Sequence, residues 1–302
     1  MTPAPARQLR TAHSTLTLGG RPWVMGVVNA SPESFSDAGG LGSLQERVEL
    51  ASSLVSAGAD LIDIGGESGV TNRPAITPED EIARVVPLVE RVAGADGVLV
   101  SVDTYKPEVA RAAVAAGAAI VNDVSGLRDP GLAEVCAETG AGLVLTHTRA
   151  APKEKLLDPG LDGKVSDDVE RFLSERISLA LDRGVSFEQL LLDPGPDLGK
   201  TPAQTVSVLR SLDRLHGLGR PLLLAVSRKD FVGAITSRSP RARLAGTLAA
   251  VGYGVDQGAH VLRVHDVAEV VDFLSVRSAL DGDTEPDPAL RLADELRWEQ
   301  GK

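Results

Sequence analysis

Residues 190–201 read LLLDPGPDLGKT. Three leucines in succession offer no polar face, which suits a strand covered on both sides, as in a parallel sheet flanked by helices. The run stops on Asp193, and Pro194 and Gly195 then turn the chain. A second carboxylate, Asp197, follows inside the turn. A carboxylate ending a covered strand is costly to desolvate unless it caps a helix or meets a ligand.

The same unit recurs along the chain. WVMGVVN leads to LQERVELASSLVSAGA, DLIDIGG to PEDEIARVVPLVERVA, VLVSVD to KPEVARAAVAAGA, and AIVND to DPGLAEVCAETGA. GLVLTH leads to SDDVERFLSERISLALDRG, LLLD to PAQTVSVLRSLDRL, PLLLAVS to PRARLAGTLAAVGYGVDQG, and HVLRVH to VAEVVDFLSVRSAL. Short apolar runs alternate with amphipathic segments about eight times, the number that closes a (β/α)8 TIM barrel. The expectation is an α/β chain with a single barrel domain over residues 21–280. An extension at 1–20 would cap its bottom, and an acidic tail at 281–302 would carry a linker and a short terminal helix. A doubly wound open sheet fits less well, because the series runs past six strands and lacks G-x-G-x-x-G after the first.

At 302 residues, 43% hydrophobic and 24% charged, the chain has the composition of a globular protein. A net charge of −11 argues against a nucleic-acid or anionic-membrane partner. Cys136 is the only cysteine, so no internal disulfide forms, and its helical setting reads as a buried structural thiol. The first residues lack the apolar core of a signal peptide, and no run is long enough to span a bilayer, so the expected location is cytoplasmic.

Barrel enzymes carry their chemistry where strands end. Here those positions hold Asn29, Asp63, Asp103, Asn122, His147, Asp193, Ser227-Arg228-Lys229, and Arg263 with His265. For Asp63, ahead of IGGES, a structural role holding the second loop is at least as good a reading as ligand contact. Carboxylates accept paired hydrogen bonds from an amino-pyrimidinone edge, charge-assisted bonds worth roughly 1.5–3 kcal/mol each. Lys229 can donate to a ring carbonyl and a ring nitrogen. Arg263 and His265 can hold phosphate oxygens at the end of the barrel where phosphate sites often occur. The inventory fits a heterobicyclic ligand bearing a phosphate ester.

The motifs VMGVVNASPESFSDAGG, GADLIDIGGES, VSVDTYKPEVARAAVAAGAAIVNDVSG, LLLDPGPDLGKT, SRKDFVG, RLAGTLAA and LRVHDV stand in the order found in dihydropteroate synthases. The chain resembles that family from about Arg21 to Leu280. The resemblance implies condensation of 6-hydroxymethyl-7,8-dihydropterin pyrophosphate with p-aminobenzoate, giving dihydropteroate and pyrophosphate in folate biosynthesis. It implies that Asp103, Asn122, Asp193 and Lys229 hold the pterin. It places Asn29 on Mg²⁺, with Arg73, Arg263 and His265 on the pyrophosphate. Asp37 and Phe35 would belong to a mobile first loop over the reactive centre, and Asp37, Lys229, Arg263 and His265 are the implied catalytic set. A homodimer paired through barrel helices is also implied, the Ala- and Gly-rich RLAGTLAAVGYGV allowing close packing.

The chain departs from the family pattern in four places. Asp197-Leu198 replaces Gly-Phe, so a carboxylate would crowd the pterin unless it turns to solvent or pairs with Lys200. Thr146-His147-Thr148 replaces Met-His-Met, trading apolar packing for hydroxyls. Asp230 replaces a serine near the aminobenzoate carboxylate, which it would repel. The second loop, Gly66 to Pro74, is three residues longer, so Thr71 and Arg73 take the places of its functional threonine and arginine. A relative that binds a pterin or phosphate ligand without synthase activity is therefore the alternative reading, and a corrinoid-linked methyltransferase ranks third. GPDLGKT is no P-loop, since Pro194 and Asp197 spoil the phosphate cradle. A zinc site on His147 and His265 has weak support, and His13, His216 and His260 read as incidental.

Overall fold

The structure, a computed structural model, describes residues 5–30, 42–69, 74–95, 97–156 and 159–297. An antiparallel hairpin, β1 (Arg7–Arg10) and β2 (Thr15–Leu18), precedes eight parallel strands. These are β3 (Trp23–Asn29), β4 (Leu61–Gly65), β5 (Leu99–Asp103), β6 (Ile120–Asp123), β7 (Gly142–Thr146), β8 (Leu190–Asp193), β9 (Leu223–Leu224) and β10 (Val261–Val264). Their order is β8-β7-β6-β5-β4-β3-β10-β9, and a parallel bridge between Leu192 and Leu222 joins the two ends into a ring. Closure rules out the open doubly wound sheet.

Helices α1 (Leu44–Ser56), α2 (Pro78–Ala93), α3 (Pro107–Ala115), α4 (Gly131–Thr139) and α5 (Val165–Asp182) return the chain between the first six strands. α6 (Pro202–Leu209) and the short α7 (Leu212–Leu215) lead to β9, α8 (Asp230–Thr236) and α9 (Leu244–Asp256) to β10, and α10 (Val267–Asp281) closes the series. Local sequence starts several of them. Ser43 and Glu46 form a capping box on α1, and Thr201 and Gln204 do so on α6. Thr77 caps α2, whose first turn holds Pro78 and three acidic residues that favour the positive end of the helix.

Strand side chains alternate between two cores. Outward residues such as Val24, Ile62, Val102, Leu143 and Leu192 pack under the helices. Inward residues Met25, Leu61, Ile120, Val144, Leu191, Leu223 and Val261 fill the barrel with Leu9 and Leu18 from the hairpin. The segment before Trp23 therefore plugs the bottom of the barrel. Arg220 staples the plug, donating to the carbonyls of Gln8 (2.6 Å), Leu190 (2.9 Å) and Glu188 (3.0 Å). His260 bridges the Leu222 N–H and the Pro5 carbonyl, and burial lowers its pKa to about 4, so it works there as a neutral imidazole.

Beyond Asp281 the described tail is exposed and forms only one 3-10 turn, Asp294–Leu296, where a short helix was expected; with no apolar face buried, nothing holds a longer one. Among the described residues no helix is long and apolar enough to cross a membrane. Cys136 is fully buried and burial raises its pKa, in keeping with an inert thiol. Because Leu18 is completely buried in the plug, Leu18→Ala should cost about 2–5 kcal/mol, read as a lower denaturation midpoint in urea. An unchanged midpoint would show that the hairpin does not seal the barrel.

Candidate active site

A strand's period of two decides which residues face the barrel interior. Following each inward line upward from the apolar floor, the side chains turn polar within one or two steps. Leu61 gives way to Asp63 and Gly65, Leu99 to Ser101 and Asp103, and Ile120 to Asn122. Val144 gives way to Thr146, Leu191 to Asp193, and Val261 to Arg263 and His265, while Val27 separates Met25 from Asn29. Ladder pairing runs Asn29–Gly65–Asp103–Asn122, so three of the implied site residues share one rung at the mouth. Gly65 leaves that rung open: a Cβ there would lie 3.5 Å from Asp103 Cβ and 3.9 Å from Asn29 Oδ1.

Arg263 organises the layer beneath. Its Nε donates to Asp63 Oδ2 at 2.6 Å and its terminal nitrogen to Asp103 Oδ2 at 2.7 Å, while Asn122 Nδ2 donates to the same Asp63 oxygen at 3.1 Å. Asp63 is fully buried and so orients Arg263 and Asn122 rather than holding the second loop. Burial raises the Asp103 carboxyl to about 7; Arg263 opposes that, and Asp63, Glu81 and Asp123 add to it. Burial works against the Arg263 charge, but Asp63 and Asp103 outweigh it and its pKa is raised. Asp63 Oδ1, Ser101 Oγ and Thr146 Oγ1 are buried without a hydrogen-bond partner, so the floor of the mouth retains unused donors and acceptors.

The second loop is held instead by Glu67, which sequence reading passed over inside IGGES. Its carboxylate accepts from Lys106 (2.7 Å), Tyr105 (3.0 Å) and the Ile76 N–H (3.2 Å), and pairs with Lys153 at 3.0 Å. Lys106 also reaches Glu81 at 2.6 Å. No local signal marks this role, because Tyr105 and Lys106 come from the loop after β5 and Lys153 from the loop after β7.

Past Asp193 the backbone is shaped for close approach. Asp193 Oδ1 accepts the Gly195 N–H at 2.7 Å, and burial raises its pKa. Gly195 has φ 63°, and a Cβ there would overlap the His147 carbonyl oxygen, so only glycine fits. Lys200 folds underneath, donating to His147 Nδ1 at 2.7 Å and the Gly195 carbonyl at 2.8 Å. His147 Nε2 meets Asp168 at 3.2 Å, and burial, with Lys200 adding, lowers its pKa to about 3. His147 is thus a neutral link between loops. Asp197 turns neither to solvent nor to Lys200 but bonds Thr205 and the Phe231 N–H.

After the neighbouring strand β9, the loop that leads into α8 ends at Lys229, whose ammonium has no hydrogen-bond partner among the described residues. Burial lowers its pKa, and the charges of Asp193 and Asp197 act in the opposite sense. His265 Nδ1 lies 3.1 Å from Ser227 Oγ, and burial lowers its pKa to about 4. Ser227 Oγ also accepts the His265 backbone N–H at 3.2 Å, and in the tautomer whose Nδ1 takes the Ser227 hydroxyl proton, Nε2–H is free to donate. Arg228 pairs with Asp266. Asp230, 87% exposed, pairs with Arg243 at 2.9 Å, so the charge expected to repel an aminobenzoate carboxylate is neutralised by a neighbour.

Phe35, Asp37, Thr71 and Arg73 lie outside the described residues. Asn29 is exposed at the mouth and offers one amide oxygen. Among the described residues no group of three His, Cys, Asp or Glu side chains could hold a metal, and His147 and His265 serve separate hydrogen-bond sets.

Residues 25–265 match the family described as pterin binding enzyme. The dihydropteroate synthase of Escherichia coli K12 is 41% identical over 258 residues, 85% of this chain and 91% of that one. The Xanthomonas albilineans dihydropteroate synthase solved with 4-aminobenzoic acid superposes with a TM-score of 0.82 at 43% identity, covering 91% of this chain and 98% of that one. The same enzyme solved with 7,8-dihydropteroate gives a TM-score of 0.81 at 44% identity over the same shares. Identity at this level across nearly the whole barrel removes the case for a divergent relative, and the chain belongs to the dihydropteroate synthase family.

Proposed function

We propose that the barrel mouth condenses 6-hydroxymethyl-7,8-dihydropterin pyrophosphate with p-aminobenzoate, releasing pyrophosphate and forming dihydropteroate. The observation that carries this reading is the convergence at the mouth of Asp103, Asn122, Asp193 and Lys229, the last with an ammonium that has no partner among the described residues. The carboxylates accept from the amino-pyrimidinone edge, and Asn122 and Lys229 serve the remaining ring donors and acceptors. The C–O bond to pyrophosphate breaks first, and the aniline nitrogen then captures the pterin-methyl cation and loses its proton. Such a step gains most from fixed charges around the leaving group. His265 supplies one donor there, with Arg263 and Arg73 as the further cations, and Asp37 belongs to the first loop over the reactive centre.

A single amide oxygen suits Mg²⁺ that arrives on the substrate, because this ion keeps waters and phosphate oxygens and needs few protein ligands. Asn29 would hold it at the mouth, where it would neutralise charge on the departing pyrophosphate. We place the protein in the cytoplasm, in keeping with its one buried, unpaired cysteine.

The homodimer rests on different grounds from those the sequence offered. Glycines of α9 are used inside the chain, since Cβ atoms at Gly246, Gly252 and Gly254 would strike Val232, Phe273 and Leu224. Exposed apolar groups remain along α9 and α10, namely Tyr253 (41%), Val276 (62%) and Leu280 (83%). We infer pairing through this face. Sedimentation should give the mass of two chains, and Val276→Glu should give that of one; a native monomer would contradict it.

With Mg²⁺ and both substrates the protein should release pyrophosphate, and Asp193→Asn or Lys229→Ala should lower kcat/KM for the pterin by roughly a hundredfold, the loss of charge-assisted bonds. No release above background at any aminobenzoate concentration contradicts the assignment. Free Asp103 titrates near 7, whereas ring N–H donors favour its carboxylate. Binding therefore lowers this pKa and expels a proton, so pterin affinity should rise from pH 5.5 to about 7 and then level. An affinity that is flat or falling over that range contradicts the role given to Asp103.

A further inference from the structure

Asp197 occupies the left-handed region, φ 63°, where aspartate is among the few side chains tolerated. Its backbone N–H donates to Thr205 Oγ1 at 3.0 Å, and that hydroxyl donates back to Asp197 Oδ1 at 2.9 Å. Thr205 is fully buried on α6, so the turn after β8 is clasped to a fixed helix. The other carboxylate oxygen, Oδ2, accepts the Phe231 N–H at 3.1 Å. Phe231 lies two residues beyond Lys229, in a segment whose own side chains supply no cap. Asp230, the neighbour that could have bonded locally, faces Arg243 instead.

One side chain thus ties together two loops that each deliver a residue to the pterin edge. Asp193 begins the first loop and Lys229 ends the second. We propose that Asp197 is a positioning residue for the pterin: by bonding Thr205 and the Phe231 N–H, it fixes the separation between the Asp193 carboxylate and the Lys229 ammonium. This rests on the pterin assignment above. The Asp197 charge also favours protonated Lys229, in the same direction as Asp193. The departure from the family pattern is then a support for the pocket rather than an obstruction in it.

A tie that served stability alone would impair both substrates together. The test compares the full native chain with Asp197→Gly, Asp197→Asn, Thr205→Val and Thr205→Ser. Pterin binding is followed by the fluorescence of 6-hydroxymethylpterin, aminobenzoate KM by pyrophosphate release, and folding by thermal melts. Asparagine can accept from Phe231 with its oxygen and donate to Thr205 with its nitrogen, and serine keeps the hydroxyl. Glycine at 197 and valine at 205 should weaken pterin binding roughly tenfold, with aminobenzoate KM within about twofold and folding retained at the assay temperature. Asparagine and serine should stay within about threefold of native.

The proposal is overturned if Asp197→Gly binds pterin like the native chain. It is also overturned if both substrates weaken in parallel, or if asparagine is as poor as glycine. A native chain that binds no pterin removes the reaction assignment, and this inference with it, before any variant is compared.

Discussion

The Arg263 guanidinium between Asp63 and Asp103 is the interaction on which the mouth depends. A closed parallel barrel gives its inward side chains one shared interior, and here Leu9 and Leu18 seal the lower end. The polar members of the inward strand lines stand at the upper end and must pair there or meet a ligand. Arg263 satisfies two carboxylates from different strands, and Asp63 in turn fixes the amide of Asn122. Such pairs contribute little net stability, since desolvation offsets most of the attraction, but removing one partner leaves a buried charge that costs about 3–5 kcal/mol. Arg263 therefore organises the site more than it stabilises the fold. The unpartnered atoms of Asp63, Ser101 and Thr146 mark the same region as built for something further to bind.

Around this core the loops are fastened by long-range charge pairs. Glu67 gathers Lys106, Lys153 and Tyr105 beneath the second loop. Lys200, His147 and Asp168 form a buried line under the turn after β8, with burial lowering the lysine to about 7 and the histidine to about 3. Asp197 joins that turn to the start of α8. The residues nearest the proposed chemistry thus stand on supports that are not among the residues assigned to the pterin.

The barrel was legible because its signals are local. Unbroken apolar runs, Pro and acidic residues at helix starts, and Asp or Asn at strand ends can each be read within a few residues. The inward facing of Asp103, Asn122 and Asp193 follows from the same periodicity. What could not be read were directions set by distant partners. Asp197 lay beside the expected pterin position in sequence, yet Thr205 and Phe231 draw it elsewhere. Asp230 reads as a repelling charge in the sequence because Arg243, thirteen residues on, gives no local sign of pairing with it. Glu67 and the Lys200–His147 contact were missed for the same reason. The glycines of α9 suggested an interface between chains because their neighbours Val232, Leu224 and Phe273 are far off in sequence.

The most direct test of the account is a crystal structure of the protein with 6-hydroxymethyl-7,8-dihydropterin pyrophosphate. The bicyclic ring should lie above Arg263, with its amino-pyrimidinone edge within hydrogen-bond distance of Asp103, Asn122, Asp193 and Lys229, and the pyrophosphate toward His265 and Asn29. A ring bound elsewhere, or bound at the mouth with Asp193 and Lys229 turned away from it, would contradict the claim that these strands converge on a pterin.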